Sequence, residues 1–497
     1  LGATAVWLAP IFKNKPVQGT GDGASAGYHG YWITDFTQID PHLGTNAELE
    51  AFIDEAHAEG IDVYFDIITN HTADVIAYEG GQYTYIDKAS RPYTDAAGSV
   101  FDPADYAGTG DFPELDPATS FPYVPVVTDE EADLKVPAWL NDVTLYHNRG
   151  DSTFAGESAT YGDFAGLDDL MTENPAVVDG FVDVYQDWID LGIDGFRIDT
   201  AKHVDFAFWE TWTEEVLDYA HAQGKDDFFM FGEVYDADPA VLAPYVRDSD
   251  MNSVLDFGFQ AAATSFAKGG NVSTLAKLFA GDDRYTTPDS SATALPTFLG
   301  NHDMGRIGYF LKDSDDALQR DLLAHDLLFL SRGQPVVYYG DEQGFTGAAP
   351  GNDRSARQSL FASQVPEYRD QTLLTGETVG EVDRYDTDAP VYEHVADLAR
   401  LREQHPALVD GAQVERFADD GVYAFSRVDR DDRVEYLVAL NNTDAEKTVD
   451  VTTLTAGAAF APVYGTTAAV SSDAEATASV TVPALSAALS GRLGGGL

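Results

Sequence analysis

The first 410 residues alternate between short apolar runs and longer segments in which apolar side chains recur every three or four positions. The short runs predict buried strands, and the amphipathic segments predict helices. The predicted strands are 3–12, 61–68, 193–198, 227–234, 295–303 and 334–342. The predicted helices are 45–60, 174–191, 205–224, 317–331 and 391–405. Because strand alternates with helix and polar clusters end several strands, we expect a (β/α)8 TIM barrel. A doubly wound open sheet is the alternative, but no glycine-rich phosphate fingerprint supports it.

The segment 45–60 carries the clearest helix pattern in the chain. Thr45 or Asn46 is suited to cap its N-terminus, and Gly60 to end it. The predicted apolar face consists of Leu49, Phe52, Ile53 and Ala56.

Two segments depart from the strand–helix alternation. Residues 72–171 lose periodicity and are too long for an ordinary connection, so we expect an inserted domain B there. From residue 411 the pattern changes to short alternating strands, which predicts a C-terminal antiparallel β-sandwich over 411–497. The barrel, domain A, would then consist of 1–71 and 172–410.

Composition narrows the classes of function. With 29 basic and 84 acidic residues, the net charge of −55 disfavours binding to nucleic acid or an anionic membrane. We interpret the dispersed acidic residues as a solvated surface suited to high salt, with an ordinary acidic secreted protein as the alternative. The absence of cysteine excludes disulfides and thiolate chemistry. No apolar run is long enough to span a membrane.

The chain begins at Leu1, inside an apolar run and without an initiator Met. We therefore expect the natural N-terminus to be missing, so that the lack of a signal peptide says nothing about export.

Candidate chemistry lies where the predicted strands end. Arg197 and Asp199 are two residues apart on one strand and project from the same face. An arginine beside a carboxylate favours its ionised form, which suits a nucleophile, although a structural ion pair is the alternative. Glu233 ends the strand 227–234. Asn70 and His71 follow the strand 61–68, where they could clamp a loop, or bind a hard cation and donate to a sugar.

Six motifs occur in a characteristic order. DIITNH (66–71), GFRIDTAKH (195–203), FGEV (231–234) and FLGNHD (298–303) resemble the four signature regions of the α-amylase superfamily of glycoside hydrolases. LDDL (167–170) resembles its fifth region, and YHGYW (28–32) its sugar-stacking segment. The resemblance covers about residues 1–410 and implies a barrel with an inserted domain B. It also implies that 3–12 is the second barrel strand, so that the first strand is missing.

The resemblance assigns roles to three carboxylates. Asp199 would be the nucleophile, Glu233 the acid/base, and Asp303 the residue that orients sugar hydroxyls and stabilises the positive transition state. Four of the 11 histidines fall inside the motifs, which scattered surface histidines would not do. The substrate contacts that the resemblance implies are His29, Tyr31, Trp32, His71, Arg197, Lys202, His203 and His302.

The resemblance also implies one calcium ion as cofactor. Its ligands would be Asn70, Asp169 and the backbone carbonyl of His203. We predict Glu157 as the fourth ligand, with Asp163 or a backbone carbonyl as alternatives. Asp168 stands where the family usually has a small residue or proline, which is a departure from the pattern.

The expected function is retaining endo-hydrolysis of α-1,4-glucosidic bonds in starch or maltooligosaccharides. Lys202 and His203 resemble amylases and cyclodextrin-forming transferases more than α-1,6-specific hydrolases. One alternative is a transglycosylase or a pullulan- or cyclodextrin-active enzyme on the same machinery. Another, from a different class, is a catalytically inactive glucan-binding relative. We expect an extracellular, halophilic monomer with no nucleic-acid or membrane partner.

Overall fold

A computed structural model describes residues 1–19, 21, 24–347, 353–465 and 468–494. They form two compact units. The N-terminal unit comprises Ala3–Tyr235 and Pro244–Val254. The C-terminal unit comprises Leu1–Gly2, Asp236–Ala243 and Leu255–Leu497. The predicted segments 1–71, 72–171, 172–410 and 411–497 stay a prediction, since these units combine residues from more than one of them.

The N-terminal unit contains short strands and four helices, and a fifth helix shares residues with both units. The strands are β1 Ala5–Leu8, β2 Phe12–Asn14, β3 Val17–Gln18, β4 Ser25–Ala26, β5 Ile33–Ile39, β6 Asp62–Ile67, β7 His71–Thr72, β8 Ala77–Tyr78, β9 Tyr93–Thr94, β10 Val100–Phe101, β11 Pro125–Val126, β12 Asp168–Asp169, β13 Gly195–Ile198, β14 Phe229–Gly232 and β15 Ser253–Val254. The helices are α1 Asn46–Ala58, α2 Ser158–Tyr161, α3 Pro175–Leu191, α4 Phe206–Ala222 and α5 Pro239–Arg247.

Five of these strands form one parallel sheet in the order β1-β6-β13-β14-β15. The register aligns Arg197 with Asp66 on one side and with Phe231 on the other. The carboxyl ends of β6, β13 and β14 therefore lie at the same edge, as expected for a parallel α/β sheet. The prediction of a single strand over 3–12 was wrong, because two strands separated by Pro10 occupy this segment.

Helix α1 shows which local sequence signals were sufficient to predict its ends and its buried face. Thr45 caps it in a capping box with Glu48, and Gly60 follows its end with a φ of 73°. Leu49 and Ile53 are buried as predicted. Phe52 was predicted on the same apolar face, but its side chain is 45% exposed.

The segment 72–171 begins and ends at one short ladder. Strand β7 pairs antiparallel with β12, which places Thr72 opposite Asp168 and His71 opposite Asp169. Between them lie short strand pairs, β8 with β11 and β9 with β10. The chain therefore leaves the parallel sheet and returns to it at neighbouring positions.

The C-terminal unit begins with a parallel strand pair among helices and continues as an antiparallel β region. Its strands are β16 Pro296–Phe298, β17 Gln334–Val336, β18 Ala412–Asp419, β19 Val422–Val428, β20 Glu435–Asn441, β21 Lys447–Thr452, β22 Ala459–Tyr464, β23 Val470–Ser471, β24 Thr477–Val482 and β25 Ser486–Arg492. Its helices are α6 Phe257–Ala267, α7 Ser273–Phe279, α8 Ile307–Leu311, α9 Ala317–Leu330, α10 Pro366–Arg369 and α11 Pro390–Gln404.

The predicted C-terminal antiparallel β domain is present. Six strands form a sheet in the order β18-β19-β20-β25-β22-β23, and β21 pairs with β24. Side chains of the β21–β24 pair, such as Val451 and Val480, share a core with Val422 and Leu437 of the six-stranded sheet. The opposite face of that sheet packs against helix α9. Among the described helices, none is long and apolar enough to cross a bilayer.

Candidate active site

The strand ends bring two of the predicted catalytic carboxylates to one edge of the parallel sheet. Asp199 directly follows β13, and its backbone N–H donates to Ile67 O at 2.8 Å. Glu233 directly follows β14, and its N–H donates to Ile198 O at 2.8 Å. Both side chains are largely buried. The ladder therefore fixes where each carboxylate leaves the sheet.

The guanidinium of Arg197 contacts three carboxylates, and we call these four residues the Arg197 cluster. Its Nη1 lies 2.7 Å from both Asp66 Oδ1 and Asp199 Oδ1, and its Nη2 lies 3.0 Å from Glu233 Oε1. The negative charges of its partners hold the pKa of Arg197 well above its usual range despite complete burial. Burial raises the pKa of Asp66 to about 6, although Arg197 opposes this shift.

Thr200 connects the loop after Asp199, the candidate nucleophile, to the candidate acid/base. Its N–H donates to Glu233 Oε2 at 3.1 Å. Its backbone is left-handed, with a φ of 50°, which is costly for a β-branched residue. Strained backbone of this kind persists where the surroundings enforce it, often at functional sites.

The aromatic segment 28–32 reaches the Arg197 cluster through Asp66. The hydroxyl of Tyr31 donates to Asp66 Oδ2 at 3.0 Å. His29 accepts from the N–H of Tyr31 at 3.0 Å, and its ring lies 4.6 Å from that of Trp32. Tyr31 is thereby placed beside the candidate nucleophile, while His29 and Trp32 pack next to it.

The predicted sugar contacts His71 and His203 both pack against Phe164. The ring of His71 stacks on Phe164 at 5.3 Å, and that of His203 meets it edge-on at 5.0 Å. Burial, aided by the neighbouring histidines, lowers the pKa of His71 to about 3, so this imidazole is neutral at physiological pH. Lys202 donates to Tyr235 O at 3.1 Å, which directs its ammonium group towards the segment after Glu233.

Asp303 and His302 belong to the C-terminal unit, in the turn after β16. His302 Nε2 lies 3.1 Å from Asp303 Oδ2, and Arg357 Nη2 lies 3.5 Å from Asp303 Oδ1. Asn301 Oδ1 accepts the backbone N–H of Asp303 at 3.0 Å and so shapes the turn. The joint action of Asp303 with Asp199 and Glu233 stays a prediction.

Three of the predicted calcium-site residues lie near a buried ion-pair chain. Asp169 Oδ2 is 2.6 Å from His147 Nδ1, and His147 Nε2 is 3.0 Å from Glu173. Asp163 Oδ1 accepts the N–H of Asp169 at 3.4 Å, and Asn70 hydrogen-bonds to the side chain of Asp169. We call Asn70, His147, Asp163, Asp169 and Glu173 the Asp169 cluster.

The donors of the Asp169 cluster fit a hard cation. Burial first, and then the neighbouring acids, raise the pKa of Asp163 to about 8; burial likewise raises that of Asp169 to about 7. Two such carboxylates beside the Asn70 amide offer the oxygen ligands that calcium prefers. In the part of the chain that the structure describes, no three side chains of His, Cys, Asp or Glu gather around a common metal position.

The carboxylate of Glu157, the predicted fourth ligand, is already hydrogen-bonded. Its Oε1 accepts from the Tyr85 hydroxyl at 3.0 Å and from the N–H of Lys88 at 2.7 Å. The backbone carbonyl of Ala159 accepts a contact from His203 Nδ1 at 2.8 Å, which ties His203 to the same stretch of chain.

Asp168, the departure from the family pattern, has a structural role. Lys135 Nζ lies 2.6 Å from Asp168 Oδ2 with both side chains buried. The same carboxylate accepts the backbone N–H groups of Val75 and Ile76. It therefore clamps the start of the inserted segment to its end.

Sequence reasoning missed several residues of the site. Trp7 donates its indole N–H to Asp66 Oδ2 at 3.1 Å, yet its position in an apolar run gave no hint of this role. Phe164 contacts both His71 and His203. The exposed ring of Phe154 lies near His203, and the exposed ring of Tyr235 comes two residues after Glu233. An exposed aromatic in a polar segment is a weak signal that could have marked Phe154.

Comparison with known proteins agrees with the resemblance. The family described as "Alpha amylase, catalytic domain" matches residues 1–411. An α-amylase of Streptomyces lividans is 55% identical over 498 residues, covering 98% of this chain and 54% of the relative. A cyclomaltodextrin glucanotransferase of Geobacillus stearothermophilus is 27% identical and covers 90% of this chain and 52% of its own. The chain thus spans about half the length of these curated relatives.

Solved structures share the fold across nearly the whole chain. An α-amylase of Anoxybacillus superimposes with a TM-score of 0.71 at 24% identity, covering 99% of this chain and 87% of that one. A cyclomaltodextrin glucanotransferase with three-domain ABC architecture gives a TM-score of 0.72 at 23% identity, with the same coverage. These neighbours support the TIM barrel with a C-terminal β domain. Together with the family match over residues 1–411, they show that the chain belongs to the α-amylase family of glycoside hydrolases.

Proposed function

We propose that this protein hydrolyses internal α-1,4-glucosidic bonds in starch and maltooligosaccharides with retention of configuration. The observation that carries the proposal is the contact of one buried guanidinium, that of Arg197, with both Asp199 and Glu233. Retaining cleavage needs two carboxyl groups on either side of the scissile bond, one ionised and one protonated. A shared, permanently charged neighbour holds both in place.

The first step forms a covalent intermediate. Asp199 attacks the anomeric carbon while Glu233 gives its proton to the departing glycosidic oxygen. The glycosidic bond breaks as the bond to Asp199 Oδ forms, and the chain on the leaving side is released with a new hydroxyl. Asp303, proposed as the third carboxylate, would orient sugar hydroxyls and stabilise the positive charge of the transition state.

The second step returns the enzyme to its starting state. Glu233, now ionised, removes a proton from water, and the resulting nucleophile displaces Asp199 from the anomeric carbon. Tyr31 would stack against the sugar ring. The neutral imidazole of His71 would hydrogen-bond to its hydroxyls, and Lys202 and His203 would contact the next sugar.

We infer that the Asp169 cluster binds calcium through Asn70, Asp163 or Glu157, Asp169 and the carbonyl of His203. When bound, the ion supplies positive charge to buried carboxylates and links the inserted segment to the loop that carries His203. The proposed nucleophile and acid/base, Asp199 and Glu233, belong to the Arg197 cluster instead.

The net charge of −55 supports two further parts of the proposal. High salt would screen the repulsion within the folded chain, so we propose a salt-dependent monomer. Separately from the charge, we propose that the protein is extracellular. Light scattering and melting curves in rising KCl test the oligomeric state and the salt requirement.

Product analysis tests the function. Chromatography of digests of starch and pullulan, with calcium and molar KCl, should show linear short maltooligosaccharides from starch alone. Cyclic products would favour a transferase, the second candidate, which the glucanotransferase relative supports. Maltotriose from pullulan would indicate action on pullulan. Asp199→Asn is the control: it should remain folded and release no product, and retained cleavage would overturn the assignment.

A further inference from the structure

The segment 353–390 of the C-terminal unit carries large apolar side chains on its surface. Phe361 is 66% exposed and Tyr385 is 52% exposed, and Val382, three residues before Tyr385, is exposed as well. Clustered exposed apolar groups bordered by polar residues mark surfaces that contact another molecule. None of these side chains takes part in the reaction proposed above.

The backbone holds the two aromatic rings together. The N–H of Arg384 donates to Leu360 O at 2.6 Å, and the N–H of Ala362 donates to Asp383 Oδ1 at 2.8 Å. These bonds place Phe361 beside Tyr385, with ring centroids 5.5 Å apart and planes inclined at 71°. The rings therefore form an open corner with faces in two directions.

The corner rests on a small core. Leu360, the neighbour of Phe361, packs against Phe345, Leu373 and Val379, so successive side chains point inwards and outwards. The guanidinium of Arg384 donates to the carbonyls of Thr378 and Val379 at 2.6 Å each. A surface supported in this way is largely formed before a ligand arrives, so that binding orders little.

Charge limits what can occupy this surface. A second copy of the chain would bring another charge of −55, and nucleic acid or anionic lipid would be repelled in the same way. A glucan is neutral, and the C–H groups on the faces of its sugar rings are attracted to the electron-rich faces of aromatic rings. Charged residues border the two rings: Arg369 pairs with Glu381, Arg384 pairs with Glu377, and the Asp383 carboxylate accepts the N–H of Ala362.

We propose that Phe361 and Tyr385 form a glucan-binding surface additional to the residues that cleave the chain. This inference rests on the proposed function, because it takes the glucan as the ligand. A second attachment point raises the effective concentration of an insoluble substrate at the enzyme. The surface would therefore matter for starch granules and little for short soluble oligosaccharides.

Adsorption to starch granules tests the surface. The full 497-residue chain is compared with the double variant Phe361→Ser, Tyr385→Ser, by depletion from suspension at low temperature. We expect adsorption to fall at least about fivefold, while the rate on maltoheptaose stays within about twofold. Phe361→Tyr and Tyr385→Phe keep an aromatic ring and should adsorb like the parent chain. Val100→Ser removes an apolar side chain that is 67% exposed elsewhere and is the matched control.

The outcomes separate the surface from the proposed function. Adsorption of the folded double variant equal to that of the parent chain would overturn the inference. A parent chain that scatters light as a dimer, and a double variant that is monomeric, would assign the surface to a second copy and overturn it too. A parent chain that adsorbs but releases no product from maltoheptaose would instead count against the hydrolytic function and leave the surface intact.

Discussion

Two buried groups of carboxylates in the N-terminal unit are neutralised in different ways. In the Arg197 cluster the cation is a guanidinium, which stays charged at every accessible pH. In the Asp169 cluster it is the imidazole of His147, whose charge depends on pH. Burial opposes the charge of His147, but Glu173 and Asp169 together raise its pKa to about 9.

The Arg197 cluster therefore contains a permanent positive charge, whereas the positive charge of the Asp169 cluster depends on pH. The guanidinium that contacts the three carboxylates around Arg197 keeps its charge at every accessible pH, which suits groups that must meet a substrate in one geometry. The carboxylates Asp163 and Asp169 have pKa values of about 8 and about 7, so protons and a cation compete for them. We therefore expect replacements around Arg197 to affect catalysis, and changes around Asp169 to affect mainly stability.

Replacement of Arg197 should have the largest effect. Lysine keeps the charge but has one nitrogen in place of the two, Nη1 and Nη2, that contact Asp199 and Glu233, so Arg197→Lys should lower kcat at least about a hundredfold. The steady-state rate on maltoheptaose measures this. Arg332→Lys is the matched control, because Arg332 is also buried and bridges two carboxylates, Asp256 and Asp282, at 2.6 and 2.7 Å. If the two variants lost activity equally, general destabilisation would explain the result.

Removal of calcium should have the next largest effect. An ion present at a thousand times its Kd stabilises the folded chain by about 4 kcal/mol, so EDTA should lower the Tm by several degrees. Scanning calorimetry with calcium, with EDTA, and with EDTA followed by magnesium measures this. A Tm that is the same in calcium and in EDTA would contradict calcium binding at the Asp169 cluster.

The chelated protein should lose stability as the pH rises. The folded-state pKa values of Asp163 and Asp169 exceed their usual value of 3.8, and that of His147 exceeds 6.5. The folded state then binds more protons than the unfolded state between about pH 4 and pH 9, so stability is greatest at the acidic end. We expect a loss on the order of 1 kcal/mol per pH unit in urea titrations from pH 6 to pH 8. Stability that increased over this range in EDTA would exclude these shifts.

Replacement of Glu157 should have the smallest effect and would sharpen the assignment of ligands. In Glu157→Gln the amide oxygen still accepts from the Tyr85 hydroxyl and the Lys88 N–H. Because these hydrogen bonds already occupy the side-chain oxygen, we expect less than about a threefold change in calcium affinity. Asp163→Asn should weaken it at least about tenfold, because a buried charge next to Asp169 is lost. Calorimetric titration of both variants compares them. The reverse order would make Glu157 the fourth ligand and restrict Asp163 to its hydrogen bond from the Tyr78 hydroxyl, which is 2.6 Å from Asp163 Oδ2.

Residues that act through the local chain could be predicted from the sequence. Asp199 and Glu233 follow apolar runs that form adjacent parallel strands, and the edge of such a sheet brings strand ends together. Thr45 and Gly60 bounded helix α1 because capping depends on neighbours a few residues away. The prediction that Phe52 belongs to the covered face of helix α1 was wrong, because helical periodicity does not reveal how wide that face is.

Residues that act through distant partners could not be predicted. Lys135 meets Asp168 across 33 residues, His147 meets Asp169 across 22, and Trp7 meets Asp66 across 59. No periodicity relates such positions, and each residue alone fits a surface or core position equally well. The first two contacts depend on how the irregular segment 72–171 folds back, and the contact of Trp7 with Asp66 depends on the pairing of β1 with β6. Local patterns specify neither.

The short ladder between β7 and β12 joins the two ends of the inserted segment. Its two ends meet as paired strands, with His71 opposite Asp169, so the parallel sheet receives the same connection however long the excursion is. Doubling the length of a flexible loop raises the free energy of closing it by only about 0.6 kcal/mol. The length of the chain between β7 and β12 can therefore vary at little cost in stability. Variation there leaves the strand ends that carry Asp199 and Glu233 unchanged. The pairing of β7 with β12 thus makes the inserted segment an exchangeable module, whose limits are set by two residues on each side.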